Sequence, residues 1–309
     1  MNRRHFIQTL GSGMALAGTG AFPLQALAAE PEMLQLTILH TNDVHSRIEP
    51  FPMDGSRYQG MGGAARRAAM IKRIREEQQH VLLLDAGDIF QGTPYFNVYG
   101  GELEMKLMTR MGYDAATLGN HDFDAGIEGL EKQLPNASFP LINCNYDFSN
   151  TILNGKVKPY QIFKKEQIKI GVLGVGIELE GLVPQALYKE TRYLDPIANA
   201  NKYADILRRD EKCDFVICLS HLGYQYRDSK ISDIVLARNS RNIDLIIGGH
   251  THTFLDEPAV ETNLEGRQVL INQVGWAGIM LGRLDVYFER NRRGRCLSCQ
   301  NLTVNTKRK

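Results

Sequence analysis

Five of the eight histidines stand in short polar segments that each follow a run of apolar residues. The segments are Asp43-Val44-His45, Gly87-Asp88, Gly119-Asn120-His121-Asp122, Ser220-His221 and Gly249-His250-Thr251-His252. They offer carboxylate, imidazole and amide groups but no thiolate, which argues against a structural Cys-rich zinc site. Such a donor set suits borderline-to-hard divalent ions, so the segments predict a centre for Mn, Zn, Fe or Co.

Seven side chains in these segments are candidate metal ligands: Asp43, His45, Asp88, Asn120, His221, His250 and His252. That is more than one tetrahedral ion needs and enough for two ions if one carboxylate bridges them. Two ions about 3.5–4 Å apart are typical of enzymes that displace a group at phosphorus. A water between such ions becomes hydroxide near neutral pH. The set therefore indicates ester hydrolysis at phosphorus by attack of a metal-bridging hydroxide.

Short apolar runs alternate with helical periodicity, which predicts an α/β sandwich. The predicted strands are Leu34–His40, Val81–Asp85, Ala115–Leu118, Ile168–Val175, Asp214–Leu219, Asp244–Ile247 and Val269–Asn272, with an antiparallel strand at Leu281–Glu289. Apolar residues at helical spacing predict core helices around residues 64–74 and 103–111, and Arg66 and Arg67 are expected on the solvent face of the first. The polar segments follow the carboxyl ends of strands, where ligand sites gather in α/β sheets.

The composition is that of a globular protein, with 309 residues, 43% of them hydrophobic and 23% charged. A net charge of +1 leaves no basic surface that would indicate a nucleic-acid polymer as partner. Five cysteines are too few for a disulfide scaffold; Cys213 and Cys218 are expected in the core of a strand. Cys296 and Cys299 form a lone C-x-x-C that leaves a late disulfide open. A polar tail, residues 291–309, is expected to be loosely held.

The first 28 residues match a twin-arginine export signal. Arg3-Arg4 precede an uncharged stretch, and Ala26-Leu27-Ala28 forms an A-x-A cleavage site. Several glycines make the stretch too weakly apolar for a stable membrane span. We therefore expect a periplasmic or secreted protein, exported by the twin-arginine route, which suits a protein that binds its metal before it leaves the cytoplasm.

In their order along the chain, the five polar segments resemble the motifs of the calcineurin-like metallophosphoesterase family. The surrounding sequence is similar to the 5′-nucleotidase branch of that family at residues 38–45, 88–93, 119–124 and 220–223. The resemblance runs from about Leu34 to Glu289. It implies a four-layer αββα sandwich with a dimetal centre between its loops, and we assign residues 29–290 to this metallophosphoesterase domain.

The same resemblance implies a role for each candidate residue. The residues that would hold one ion are Asp43, His45, Asp88 and His252. Those that would hold the second, with Asp88 as the bridge, are Asn120, His221 and His250. His121 is similar to the histidine that the family places beside the substrate, with Asp124 as its partner. A carboxylate near an imidazole favours the imidazolium, which can stabilise phosphoryl charge and protonate the leaving oxygen.

Three functions are compatible with these residues. The first is an exported hydrolase of small phosphomonoesters, above all 5′-nucleotides, that works alone. The second is the catalytic subunit of a split 5′-nucleotidase, because full-length members of the branch carry a second, base-binding domain that a separate chain would have to supply here. The third is hydrolysis of cyclic phosphodiesters, UDP-sugars or thiosulfate esters on the same ions.

Overall fold

A computed structural model describes residues 33–289 and 295–305 of the chain, the latter without the side chains of residues 295–297. The expected export signal, residues 1–28, lies outside the described residues. Within the described residues, no helix has the length and apolar character that a membrane crossing requires.

The described residues form fourteen strands and seven α-helices. The strands are β1 (Met33–Thr41), β2 (Val81–Asp85), β3 (Ala115–Ala116), β4 (Tyr146–Asp147), β5 (Tyr160–Lys165), β6 (Ile168–Val175), β7 (Arg192–Tyr193), β8 (Phe215–Ser220), β9 (Leu245–Gly248), β10 (Ala259–Thr262), β11 (Gln268–Asn272), β12 (Met280–Glu289), β13 (Arg295–Cys299) and β14 (Leu302–Thr303). The helices are α1 (Ala64–Glu77), α2 (Pro94–Tyr99), α3 (Glu102–Met111), α4 (Gly126–Gln133), α5 (Gln185–Tyr188), α6 (Pro196–Asp205) and α7 (Asp233–Arg238). A π turn, Ile206–Asp210, continues α6, and 3-10 turns lie at His121–Phe123 and Leu134–Asn136.

The strands form two six-stranded sheets and one short pair. The first sheet has the order β13-β12-β1-β2-β3, with β14 also paired to β12, and the second has the order β10-β11-β9-β8-β6-β5. Strands β1, β2 and β3 run parallel, as do β6, β8, β9 and β11. The strands predicted from the apolar runs are all present, with ends displaced by at most two residues. The sequence does not predict β4 and β7, because two residues are too few to show a pattern. It does not predict the edge strands β5 and β10 either, because their half-exposed residues blur the apolar pattern.

Alternate residues along each central strand enter different cores, which defines four layers. Residues packed between the two sheets include Leu36, Ile38, Leu82, Ile170 and Ile217. Residues packed between the first sheet and its helices include Leu39, Leu83, Ile71, Ile74 and Met105. Residues packed between the second sheet and its helices include Leu173, Val216, Ala200, Ala204 and Leu236. The predicted four-layer αββα sandwich is confirmed.

The expectation for the charged face of α1 is wrong for Arg67. This side chain is 3% exposed and lies beside the Tyr113 hydroxyl. The turn at Gly278 covers it so closely that a Cβ there would overlap Nη1 of Arg67. Arg66 is half-buried and donates to the carbonyl oxygen of Gly60. Loops therefore cover the first turn of α1. The helical periodicity of the sequence does not reveal this cover.

The chain beyond β12 is held more firmly than expected in its described part. Strand β13 pairs with β12 along five residues, and β14 pairs with the start of β12. Cys218 lies in β8 as predicted, whereas Cys213 precedes that strand by two residues, and both are buried. The thiol of Cys299 is free. The disulfide question also involves Cys296, whose side chain lies outside the described part.

His40 is a fully buried imidazole in β1 that faces the second sheet. The side-chain amide of Asn272, at the end of β11, donates to Nε2 of His40 at 2.8 Å and to Oδ1 of Asn301 at 2.9 Å. The imidazole packs on β12, where a Cβ at Gly282 would overlap the ring. Burial lowers the pKa of His40 from 6.5 to about 3, so the folded protein keeps this ring neutral.

His40 is therefore expected to make stability depend on pH. Between pH of about 3 and 6.5 the unfolded chain binds a proton at His40 that the folded protein does not bind. Stability consequently falls as pH drops through 6.5, by up to about 1.4 kcal/mol per pH unit from this group. The variant His40→Gln keeps an acceptor for Asn272 but does not titrate. Urea unfolding from pH 4.5 to 7 should show that the free energy of unfolding of the variant falls less steeply with decreasing pH than that of the wild type. The same pH dependence in both proteins would contradict the expectation.

Candidate metal centre

The predicted ligands come from both sheets and meet at one edge of the sandwich. Asp43 and His45 follow β1, Asp88 follows β2, and Asn120 lies beyond β3 in the first sheet. His221 directly follows β8, and two further histidines, His250 and His252, follow β9 in the second sheet. Since these strands are parallel within each sheet, their carboxyl ends lie together. The structure thus places all seven predicted ligands where the two sheets face each other.

The backbone of this edge is held in an uncommon conformation. Positive φ angles of 50–70° occur at the non-glycine residues Asp43, His45, Asp88, His250 and His252. Each such residue costs on the order of 1–3 kcal/mol, and such strain clusters at functional sites. Hydrogen bonds between the loops hold it: the amide of Asp43 donates to Gly87 at 2.9 Å, and that of His45 donates to the Asp88 carbonyl at 3.0 Å.

The first cluster of ligand atoms is formed by Asp43, His45 and His252. The Nε2 atoms of the two histidines lie 3.0 Å apart. Oδ1 of Asp43 is 3.5 Å from Nε2 of His252 and 4.0 Å from Nε2 of His45. Asp43 is fully buried, and its carboxylate accepts from the backbone N–H of His250 at 2.9 Å. One carboxylate oxygen and two imidazole nitrogens thus face a common point.

The second cluster is formed by Asp88, His221 and His250. Oδ2 of Asp88 lies 3.0 Å from Nε2 of His221, and Oδ1 of Asn120 lies 2.9 Å from Nδ1 of His250. The loops approach so closely here that a Cβ at Gly119 would overlap Oδ1 of Asp88. The second cluster therefore depends on the absence of a side chain at that position.

Asp88 lies between the two clusters. Its Oδ2 is 3.8 Å from Nε2 of His45 in the first cluster and 3.0 Å from Nε2 of His221 in the second. Its Oδ1 accepts from the backbone N–H of His121 at 2.8 Å. A carboxylate held at this position could serve as a ligand shared by ions in the two clusters.

The buried donor atoms fit divalent cations. Nε2 of His221 is buried and lacks the alignment of a hydrogen bond to any described residue, although Asp88 is within 3.0 Å. Burial alone would lower the pKa of His221, but the Asp88 carboxylate raises it to about 10. Burial alone would raise the pKa of Asp88, but His221 and His45 hold it well below its usual range. The Asp88 carboxylate therefore stays charged and attracts a cation.

Two further carboxylates, those of Asp85 and Asp122, hold the loops that carry the ligands. Asp122 accepts from the backbone N–H groups of Asp88, Ile89, Phe90 and Gly119 at 2.8–3.2 Å. Asp85 accepts from Gly87 at 2.9 Å and from the Thr41 hydroxyl at 2.5 Å. Burial raises the pKa of both carboxyl groups to about 7. The carboxyl groups of Asp85 and Asp122 therefore fix the loops that follow the strands of the first sheet.

His121 and Asp124 form the pair that the sequence predicts. Nδ1 of His121 lies 2.8 Å from Oδ2 of Asp124 across one 3-10 turn. The hydrogen bond to Asp124 raises the pKa of His121. Its ring stands edge-on to that of His45 with 5.3 Å between centroids, and 39% of its side chain is exposed. The imidazole is therefore beside the first cluster and open to a ligand from solvent.

Asn42 and Trp276 join the site without having been singled out in the sequence. The side-chain amide of Asn42 donates to Oδ2 of Asp43 and to the carbonyl of Gly275, both at 2.6 Å. The indole of Trp276 stacks on His252 with 5.5 Å between centroids. Because Asn42 directly precedes a predicted ligand, its position in the sequence indicates that it belongs to the site. Trp276 lies 24 positions from the ligand it touches, and no spacing rule connects them.

Comparison with known proteins gives one family and a consistent set of relatives. The calcineurin-like phosphoesterase family model matches residues 36–254. The snake venom 5′-nucleotidase of Gloydius brevicauda is 36% identical over 285 residues, 85% of this chain and 47% of that protein. The bovine 5′-nucleotidase (Bos taurus) is 35% identical, with 82% of this chain and 47% of that protein covered.

The solved structures lead to the same family. The 5′-nucleotidase precursor from Thermus thermophilus superposes with a TM-score of 0.77 at 33% identity, covering 87% of this chain and 54% of that one. The chain therefore spans about half the length of the relatives it matches.

Proposed function

Because the chain belongs to the calcineurin-like phosphoesterase family, we propose that it is a metal-dependent hydrolase of phosphomonoesters, most of all of 5′-nucleotides. The observation that carries the proposal is the pair of ligand clusters, three residues each, with Asp88 between them. The substrate class rests on relatives that are named 5′-nucleotidases.

The proposed dimetal centre assigns the first cluster with Asp88 to one ion, and the second cluster with Asn120 to the other. Carboxylate, imidazole and amide donors suit Mn, Zn, Fe or Co. When bound, two such ions would supply a hydroxide nucleophile near neutral pH and would neutralise charge on the phosphoryl oxygens. The protein contributes the fixed donor positions, which the loops and their hydrogen bonds hold before any ion binds.

We assign the leaving-group side of the reaction to His121. Its Nδ1 is occupied by Asp124, so Nε2 is the atom that remains to meet the substrate. A protonated imidazole there can donate to a phosphoryl oxygen or to the departing alkoxide. Asp124 holds the ring in the tautomer and orientation that this role requires.

Two finer parts of the proposal concern the context of the enzyme. We propose export by the twin-arginine route to the periplasm or the outside of the cell, on the basis of Arg3-Arg4 and Ala26-Leu27-Ala28. We also retain a split enzyme as the second candidate, since the relatives are about twice as long as the aligned part of this chain. Co-purification of the protein with a base-binding chain would support it, and full nucleotidase efficiency of the isolated monomer would refute it.

Phosphate release by the purified protein tests the main proposal. AMP, glycerol 2-phosphate and a bis-aryl phosphate should be compared after addition of Mn²⁺, Zn²⁺, Fe²⁺ or Co²⁺ in turn. We expect turnover of both monoesters with AMP preferred, and little cleavage of the diester. Asp88→Asn protein, prepared in the same way, is the control for contaminating phosphatases. Absence of release with all four ions, or a preference for the diester, would refute the assignment.

A further inference from the structure

His252 is held differently from His45 and His221, the histidines of the two clusters whose second ring nitrogen faces a backbone carbonyl. Ligating histidines are commonly oriented by a hydrogen bond to their second ring nitrogen. Nδ1 of His221 lies 2.7 Å from the carbonyl oxygen of Ala86, and Nδ1 of His45 lies 3.3 Å from that of Phe90. No hydrogen bond to Nδ1 of His252 is found among the described residues, and 39% of this side chain is exposed. A hydrogen bond to Nδ1 therefore does not orient this ring, and its ring contacts are the interactions that can restrict it.

The indole of Trp276 is the contact that restricts His252. The two rings are almost parallel, with an interplanar angle of 5° and 5.5 Å between centroids. The edge of His45 meets the same imidazole at 5.1 Å and 69°. Parallel stacking fixes the plane of the imidazole and hence the direction of its nitrogen lone pairs. A metal-bound imidazole is electron-poor, and the face of an indole favours such a ring.

Trp276 stands on a segment, residues 273–277, that connects the two loops of the first cluster. Toward the Asp43 loop, the amide of Ala277 donates to the Asp43 carbonyl at 2.7 Å, and the amide of Val274 donates to Oδ1 of Asn42 at 3.0 Å. Toward the His252 loop, the amide of Gly275 donates to the Thr253 carbonyl at 2.8 Å. The segment therefore fixes the distance between two ligands that are 209 positions apart in the sequence.

We propose that Trp276 is a positioning residue that presets His252 to bind the ion shared with Asp43 and His45. The inference rests on the proposed dimetal centre and assigns a residue outside its ligand set. It follows that removal of the indole weakens binding of the ion assigned to the first cluster and spares the ion assigned to the second. Among the described residues, the ring contacts of Trp276 include His252 but neither His221 nor His250.

Metal binding, measured apart from activity, tests the proposal. Protein stripped of metal is dialysed against a series of Mn²⁺ concentrations, and bound ions are counted by elemental analysis. Trp276→Leu is expected to bind one of its two ions about 10–100-fold more weakly than the wild type. Trp276→Phe, which restores a flat ring, should recover most of that affinity. Phe51→Leu is the matched control, because Phe51 packs on Trp276 at 5.7 Å without a ring contact to His252.

The protein carries its own reporter, since Trp276 is the single tryptophan of the chain. Stepwise addition of Co²⁺ to the wild type should quench its emission with the affinity of the first-cluster ion. His252→Asn should weaken or remove that quenching step. Three results would each overturn the positioning role of Trp276. They are unchanged metal affinities in Trp276→Leu, an equal loss of affinity in Trp276→Leu and Trp276→Phe, and an equal loss of both ions. If the wild type binds two ions, each of these results leaves the proposed hydrolase function intact. If the wild type binds no ion, the proposed function and the positioning role of Trp276 are both refuted.

Discussion

Asp88→Asn protein is expected to fold and yet fail to retain at least one of its two ions. Asparagine keeps the shape of the side chain, and its oxygen can still accept from the backbone N–H of His121. The loop itself is held by Asp122, whose carboxylate accepts from the amides of Asp88 and Ile89. What disappears is the negative charge that faces His45 and His221 at 3.8 and 3.0 Å. An amide offers one neutral oxygen and cannot bridge two cations as a carboxylate does.

Elemental analysis after desalting measures the effect directly. We expect phosphate release to fall by about 10²–10³-fold or more, because charge stabilisation in the transition state is lost with the ion. Asp43→Asn is the informative comparison, since Asp43 belongs to the first cluster alone and its loss should spare the other ion. Circular dichroism checks that both variants are folded. Two tightly bound ions in Asp88→Asn would show that Asp88 is not the shared ligand.

The sequence reveals the site because its residues obey a simple positional rule. Apolar runs such as those of β2 and β8 are continuous and short, so strands are their natural interpretation. In parallel sheets the carboxyl ends of strands meet at one edge. The polar residues that follow each run must then lie together, even though Asp43 and His250 are 207 positions apart.

The contacts that the sequence does not reveal depend on which loops cover which surface. Arg67 sits at a helical position that is usually solvated, but the turn at Gly278 closes over it. Trp276 touches His252 because residues 273–277 cross between two loops, which no local periodicity encodes. The positive φ angles of Asp43 and Asp88 are also unpredictable from residue type, since such angles favour glycine. Tertiary contacts between loops impose all of these features.

His121→Asn protein is expected to keep both ions while phosphate release from AMP slows by about 10²–10⁴-fold. The metal clusters use other side chains, and the backbone N–H of residue 121, which donates to Asp88 at 2.8 Å, survives the substitution. Asparagine cannot carry the positive charge that the imidazolium, favoured by Asp124, brings to the phosphoryl group. Nor can it protonate a departing alkoxide. The loss should therefore appear mainly in kcat.

The leaving group separates those two tasks of His121. A nitrophenolate departs without a proton, so 4-nitrophenyl phosphate should lose less rate than AMP in His121→Asn if the ring acts as the acid. An equal loss with both esters would mean that its charge alone matters. Asp124→Asn, which keeps a side-chain oxygen at the 2.8 Å contact with Nδ1, should cost less than His121→Asn because the imidazole is still present. Loss of the ions from His121→Asn would instead contradict this division of roles, because it would show that His121 binds an ion or positions one of the ligands.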